Sequence, residues 1–435
     1  MTENRQTLLR SIWDIQSGAT SRDAVIAAAK TRAAALEPWL KAFCYLPESH
    51  LTHDAATGPL AGIPVGVKDI IATADMPTTN GSAVYAGVVP DADAEIVTQI
   101  KAYGGTVFGK TVSTEFAWRE PGSTVNPWNR AHTPGGSSSG SAAAVAAGIL
   151  PLALGSQTMG SIVRPAAFNG VVGYKASFGA VSRDGAHPLS GSLDHIGFFT
   201  RSVADAAAAF ALFIAKAPDV VRSEASWQQY FQVKSAPKLA VMRTGVWARA
   251  SAEQQGNFEA QLVALRNAGA DLVEYDMPED TGLILQSAND MLQYEAARIY
   301  GDLVAANPDK TSAHLKQLVA DGLAVSQARY QASLALQVRL RAGLEAWINP
   351  CDAIVTLPAT GQAPRGLNDT GDAAFCVPWS FLGVPAVNLP SGWSTDGLPL
   401  GLQVVGAFGH DKKTLEVAAW AESVILFHDR IGGQV

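Results

Sequence analysis

The stretch Pro134–Phe168, PGGSSSGSAAAVAAGILPLALGSQTMGSIVRPAAF, leaves the chain few folds to choose from. A Gly/Ser turn runs without a gap into residues 141–147, nearly all alanine, a composition that favours helix and lets it lie close to a neighbour. Leu150–Leu154 follows, short, apolar and bounded by glycine, which reads as a buried strand. The stretch then reaches Gly160-Ser161. A flexible linker, the ordinary meaning of a Gly/Ser run, would not abut a helix and a strand. Two serines frame the unit, Ser137 and Ser161, 161 − 137 = 24 residues apart.

Upstream, Ala61–Ile71 reads as a strand introduced by Gly62 and Pro64, with Lys68 near its end. Strand side chains alternate between faces, so Lys68 and Asp69 should point to opposite sides and Asp69 need not be the counter-ion of Lys68. A lone lysine at a strand end usually reaches solvent. This one is bracketed by Val65, Val67, Ile70 and Ile71, so its stem should be buried, which lowers the pKa and lets the amine accept a proton.

The rest of the chain alternates. Helices are expected over 22–36 (capped by Ser21), Asp93–Tyr103, Ser202–Lys216, Ala252–Asn267, Thr281–Gly301, Thr311–Trp347 and Lys412–Leu426. Strands are expected at Thr106–Gly109, Gly170–Tyr174, Lys238–Met242, Leu272–Tyr275, Ala353–Leu357, Ala386–Leu389 and Leu400–Val405. This alternation predicts an α/β protein, a single large domain whose central mixed, twisted sheet is covered by helices on both faces. Within residues 1–435 the reading is helical packing elements over 1–60, a catalytic core over 61–206 and a helical cover at about 280–345.

Charge and composition exclude several roles. The net charge is −7 without a long run of one sign, giving no electrostatic support for nucleic-acid or membrane binding. The three scattered cysteines, Cys44, Cys351 and Cys376, argue against a disulfide framework and a zinc cluster. No apolar run is long enough to span a bilayer and no signal peptide is read at the N-terminus, so the expectation is a cytoplasmic enzyme.

Two other motifs fit the Gly/Ser turn less well. A phosphate loop would need Gly-Lys-Ser/Thr, and here Ser141 follows Gly140. Gly136–Gly140 formally matches the nucleophile elbow G-x-S-x-G, but that elbow must directly follow a buried strand, and Arg130–Pro134 is polar and Pro-broken. The turn after Leu150–Leu154 can instead aim successive N–H groups at one point, a nest for charge developing on a carbonyl oxygen.

Taken together, the segments GIPVGVKDI, GKTVSTEFAW, NPW, PGGSSSGSAAAVAAG, GS at 160–161, PAAFNGVVGYKASFG, SLDHIGFFTRSVADAA and GLPLGLQVVG stand in an order and spacing that resemble the amidase signature family over most of the chain. The resemblance implies a Ser-Ser-Lys amidase: Ser161 as nucleophile, Ser137 (reached in the family through a cis peptide) as proton relay, Lys68 as base, and Ser138 in support. It further implies an oxyanion hole from the N–H groups of Thr158, Met159, Gly160 and Ser161, with no metal or other cofactor. The eight histidines have no motif placement.

The chain departs from the family around the nucleophile. Asp-Thr-Gly-Gly-Ser-Ile-Arg becomes Gln157-Thr158-Met159-Gly160-Ser161-Ile162-Val163, with Arg164 one place later. If that acid and base normally pair, losing both costs far less than losing one. Met159 brings a bulky side chain beside the hole, or strain if its backbone must adopt a positive φ. The expected activity is hydrolysis of a small carboxamide or urea-like C–N bond to an acid plus ammonia or amine. The runner-up is the glutamine-hydrolysing A subunit of a tRNA-dependent amidotransferase. Such subunits carry an acidic residue just before the C-terminal Val-Pro, where this chain has Ala373. A third reading is an inactive amide-binding protein on the same fold, which the intact Lys68, Ser137 and Ser161 oppose. Phe116, Trp118, Phe375 and Trp379 are candidate pocket walls that slightly favour an apolar or aryl acyl group, and they read at least as well as core residues. A homodimer is the commonest state for a soluble enzyme.

Overall fold

A computed structural model describes residues 7–48, 57–233, 235–425 and 427. The strands are β1 (Phe43–Tyr45), β2 (Pro64–Lys68), β3 (Thr106–Thr111), β4 (Leu152–Gln157), β5 (Val172–Lys175), β6 (His195–Thr200), β7 (Lys238–Val241), β8 (Asp271–Glu274), β9 (Ala353–Thr356), β10 (Ala386–Trp393) and β11 (Pro399–Val405). They form one sheet in the order β1-β3-β2-β4-β6-β5-β10-β11-β9-β7-β8. Pairing is parallel between β2 and its neighbours β3 and β4, and between β7 and its neighbours β8 and β9; the other pairs are antiparallel. The mixed α/β sheet is the one the alternation of elements predicts.

The parallel trio sets the position of the site. β2, β3 and β4 are buried along their whole length, as strands covered on both faces must be. Val65 pairs with Leu152 and Gly66 with Ala153. The carboxyl ends of β2 and β4 therefore emerge side by side, where parallel sheets place their ligand crevices. The helix Ser139–Ala146 is stapled to this trio. Ser141 Oγ donates to Leu154 O (2.7 Å) and lies 2.7 Å from Thr111 Oγ1, while Gly140 N–H donates to Val112 O. A Cβ at Gly140 would stand 2.1 Å from Ala42 O and 2.4 Å from Val112 N, so only glycine allows this approach.

Several elements differ from the sequence expectation. The single helix expected over Thr311–Trp347 is two, Ala313–Ala324 and Gln327–Ile348. Ser326 breaks it, because its hydroxyl caps Arg329 N–H. The helix Ala313–Ala324 packs on Thr281–Ala306 so closely that a Cβ at Gly322 would meet Gln293 O at 1.9 Å. Strand β2 is shorter than Ala61–Ile71 because residues 61–62 and 69–70 form turns at its two ends. Strands β1 and β6 and the helices Val163–Asn169 and Val377–Leu382 had no expectation; the helices are short and the strands lack a clear alternation.

Two carboxylates, Asp205 buried and Glu422 half-buried, tie backbone N–H groups away from the site. Asp205 Oδ1 accepts Leu9 N–H at 2.9 Å, and Glu422 accepts Val203 N–H at 3.0 Å. Burial raises Asp205 to about 6 and Glu422 to about 7, the backbone hydrogen bonds working against it. Both folded-state values lie above those of an unfolded chain. Their contribution to stability is thus full below about pH 4 and is lost as pH rises through 6 to 7. For each group the loss is roughly 1.4 kcal/mol for every pH unit separating its unfolded and folded values. Asp205→Asn with Glu422→Gln should flatten this segment of the pH–stability curve, as read by urea unfolding from pH 4 to 8.

Candidate active site

Lys68 ends β2 with no solvent exposure. Its Nζ lies 2.7 Å from Ser137 Oγ and 2.7 Å from Ser156 Oγ. Burial holds its ammonium well below the ordinary lysine range, and the charge of Asp194 works against this without reversing it. Asp69 turns the other way, accepting hydrogen bonds from Thr79 N–H, Thr79 Oγ1–H and Gly81 N–H. It shapes the 79–81 turn, as strand alternation predicts.

Ser137 follows a cis peptide bond from Gly136 and directly precedes the N-cap Ser138. The approach is irregular chain rather than a strand, so the elbow architecture is absent there. Ser138 Oγ accepts Ser156 N–H and donates to Ser156 O, both at 3.2 Å. It is therefore linked to Lys68 through Ser156, whose Oγ meets the amine and which sequence reasoning passed over. Only the register of β4 beside β2 brings Ser156 to the amine, and nothing local in the sequence states that register.

Ser161 stands on the loop between β4 and the helix Val163–Asn169 and lines a cavity of about 530 Å³ together with Ser137, Thr158, Met159 and Gly160. Among the described residues the N–H groups of Met159, Gly160 and Ser161 have no acceptor within the chain. Three anchors hold the loop open. Gln157 Oε1 accepts the N–H groups of Ile162 (2.8 Å) and Val163 (3.0 Å). Gln157 Nε2 donates to Ser380 Oγ (2.9 Å), which donates to Met159 O (2.9 Å). Thr158 Oγ1 donates to Asp194 Oδ1 (2.6 Å), while Asp194 Oδ2 accepts Leu189 and Ser190 N–H. Gln157 thus supplies two lone pairs where the family writes an aspartate, and needs no cation beside it. Met159 does not have a positive φ, so its side chain fits without the strain that a glycine-only backbone would impose.

Of the four candidate wall aromatics, only Trp118 lines the cavity. Phe116 is a correction. It packs between Tyr300, His187 and Tyr85 (ring centroids 4.8, 5.3 and 5.9 Å), because the 115–117 turn adopts positive φ and swings the ring inward. Phe375 and Trp379 are likewise fully buried core residues, Phe375 edge-on to Trp247. Polar groups also line the cavity, among them Arg119, Arg164, Arg249, Asp369 and Asp372. A second cavity, about 370 Å³, lies behind the loop and shares Ala117, Thr158 and Leu189 with the first. The three cysteines are free thiols. Among the described residues no three His, Cys, Asp or Glu come together as a metal site, and no helix is long and apolar enough to cross a membrane.

An amine whose pKa is lowered by burial, touching a hydroxyl beside unpartnered backbone N–H groups, is equipment for acyl transfer to a serine. Comparison with known proteins agrees with that class. The Amidase family model matches residues 24–415. The A subunit of glutamyl-tRNA(Gln) amidotransferase from Rhodopirellula baltica is 32% identical over 96% of both chains. A crystal structure of an amidase superposes with TM-score 0.86 at 30% identity over 97% of this chain and 100% of that one. The peptide amidase of Stenotrophomonas maltophilia superposes with TM-score 0.81 at 28% identity over 98% of each. The chain belongs to the amidase signature family.

Gln157→Leu should leave two buried N–H groups unsatisfied and destabilise the protein by on the order of 3 kcal/mol. Chemical denaturation reads this directly, and a loss below about 1 kcal/mol would mean the loop is held by something else.

Proposed function

We propose that this protein cleaves a C–N amide bond through a serine acyl-enzyme. The observation that carries the reading is the buried Lys68 amine at 2.7 Å from Ser137 Oγ, beside the loop that bears Ser161. The neutral amine takes the Ser137 proton as Ser137 takes that of Ser161, and Ser161 Oγ attacks the carbonyl carbon. The oxyanion meets the N–H groups of Thr158, Met159, Gly160 and Ser161. The C–N bond then breaks as the proton passes back to the departing nitrogen, leaving an acyl-serine and ammonia or an amine. Water deprotonated by the same relay attacks the ester and releases the acid. Helices of the 280–345 segment would cover this chemistry, since Leu285, Asn289, Leu292 and His314 reach the cavity. The free thiols suit the reducing cytoplasm.

Two substrates fit. The relatives named as amidotransferase A subunits favour glutamine, hydrolysed beside partner subunits, and they span nearly the whole chain. They give this reading broader support than a stand-alone amidase on a small carboxamide receives. One site feature supports the stand-alone reading. Ala373 packs over Gly160 where an acid would meet the substrate's ammonium group, and the neighbouring Asp372 is ion-paired with Arg249 at 3.1 Å.

A panel of simple amides and glutamine, run with and without amidotransferase partner subunits, separates the readings. Lys68→Ala and Ser161→Ala should lower kcat/KM by roughly 100- to 10,000-fold, and Ser138→Ala by less. Loss with Ser138→Ala but retention with Ser161→Ala would move the nucleophile to the Gly/Ser turn. Because the working form of Lys68 is the free amine, kcat/KM should fall as pH drops through its depressed pKa and level off above it.

A further inference from the structure

We propose that the cavity contains a carboxylate-binding subsite centred on Arg164, so that the preferred substrate is an amide whose acyl portion carries a carboxylate. This rests on the amide-hydrolase reading and narrows it. Arg164 sits in the first turn of the helix Val163–Asn169, three residues past Ser161; it is 6% exposed and lines the cavity. Its contacts are neutral throughout. Nη1 donates to Gly371 O (2.7 Å), and Nη2 donates to Gly136 O (2.7 Å) and Thr370 Oγ1 (3.2 Å). The Nε–H is buried without an acceptor.

Among the described residues no carboxylate pairs with this guanidinium. The two acids lining the cavity act on it from a distance, with their own contacts made to other groups. Asp372 Oδ2 pairs with Arg249 and its Oδ1 accepts Ala374 N–H, while Asp369 Oδ1 accepts Gly371 N–H. Nor does position 157 supply a charge, since Gln157 meets the loop's N–H groups as a neutral acceptor. The other basic side chains of the cavity are Arg119, which lies over the Trp118 ring, and His314, bonded to Glu120. Three arginines and two aspartates line the cavity.

A buried cation with an orphaned donor is costly, and a ligand carboxylate relieves both defects at once. A guanidinium is also the geometry of choice for such an anion. Arg164 grips the Gly136 carbonyl, one residue before Ser137. An anion held there sits near the relay, so the spacer between carboxylate and scissile carbonyl must be short. The competing role is a brace joining residues 136, 370 and 371, which would affect every substrate alike.

The test compares the monoamide of a short dicarboxylic acid with the methyl ester of that same compound and with glutamine. The wild type should prefer the free acids through KM. Arg164→Gln should lower kcat/KM for the acid amides roughly 10- to 100-fold more than for the ester, with partial recovery in Arg164→Lys. Preference for glutamine would assign the subsite to an amino-acid carboxylate, and the reverse to a simple diacid; both support it. Equal losses on acid and ester, or a wild type that favours the ester, would overturn it. Calorimetric titration of Ser161→Ala with the short dicarboxylate and with its diester stays readable if the arginine variants fail to fold or no amide is turned over. Binding of the diacid alone supports the subsite, and equal or no binding of the pair refutes it.

Discussion

Everything at the site depends on one desolvated amine. Lys68 gives up water at the end of β2 and receives two hydroxyls in return, with no carboxylate in contact among the described residues. An acid at that spot would stabilise the ammonium and remove the lone pair. Serine and threonine side chains around β2 and β4 satisfy hydrogen bonds without fixing a proton. That explains why the surrounding network, Ser138, Ser141, Ser156 and Thr111, is built from hydroxyls. The charge that works against the lowered pKa of Lys68 is that of Asp194, whose oxygens accept from Thr158 and from two backbone N–H groups.

The loop that bears Ser161 follows the same economy of charge. Gln157 presents its carbonyl to two N–H groups and its amide to Ser380, so that the loop is held by dipoles alone. Ser380 in turn holds the Met159 carbonyl. With that carbonyl held by Ser380, the N–H groups of Met159, Gly160 and Ser161 are left unpartnered. A neutral amide and a hydroxyl at this point leave no buried anion that would need a cation beside it. This also frees Arg164 from any duty as a counter-ion at the loop.

Much of this was legible in the residues. The Gly/Ser turn, the alanine helix and the apolar run each announced their elements, and Lys68 was marked by the valines and isoleucines around it. The motif order carried the family. What the chain did not spell out was whatever depends on pairing across the sheet. Ser156 and Ser380 are ordinary serines until β4 lies beside β2 and the helix Val377–Leu382 lies against the loop. Phe116, Phe375 and Trp379 misled for the opposite reason. Their large apolar surfaces fit a pocket wall or a core equally well, and the turn at 115–117 and the packing around Trp247 decided for the core. The break at Ser326 was hidden because one capping hydroxyl outweighs a helical composition on both sides.

The alignment of β2 on β4 makes the chemistry all-or-none. Side chains on a strand alternate, so a slip by a single position would send Lys68 to the opposite face and bring Asp69 into its place. Such a slip offers no partly working intermediate: the molecule would hold a base or an acid at that point. For this chain, correct assembly of three buried strands and possession of a reactive centre are a single event.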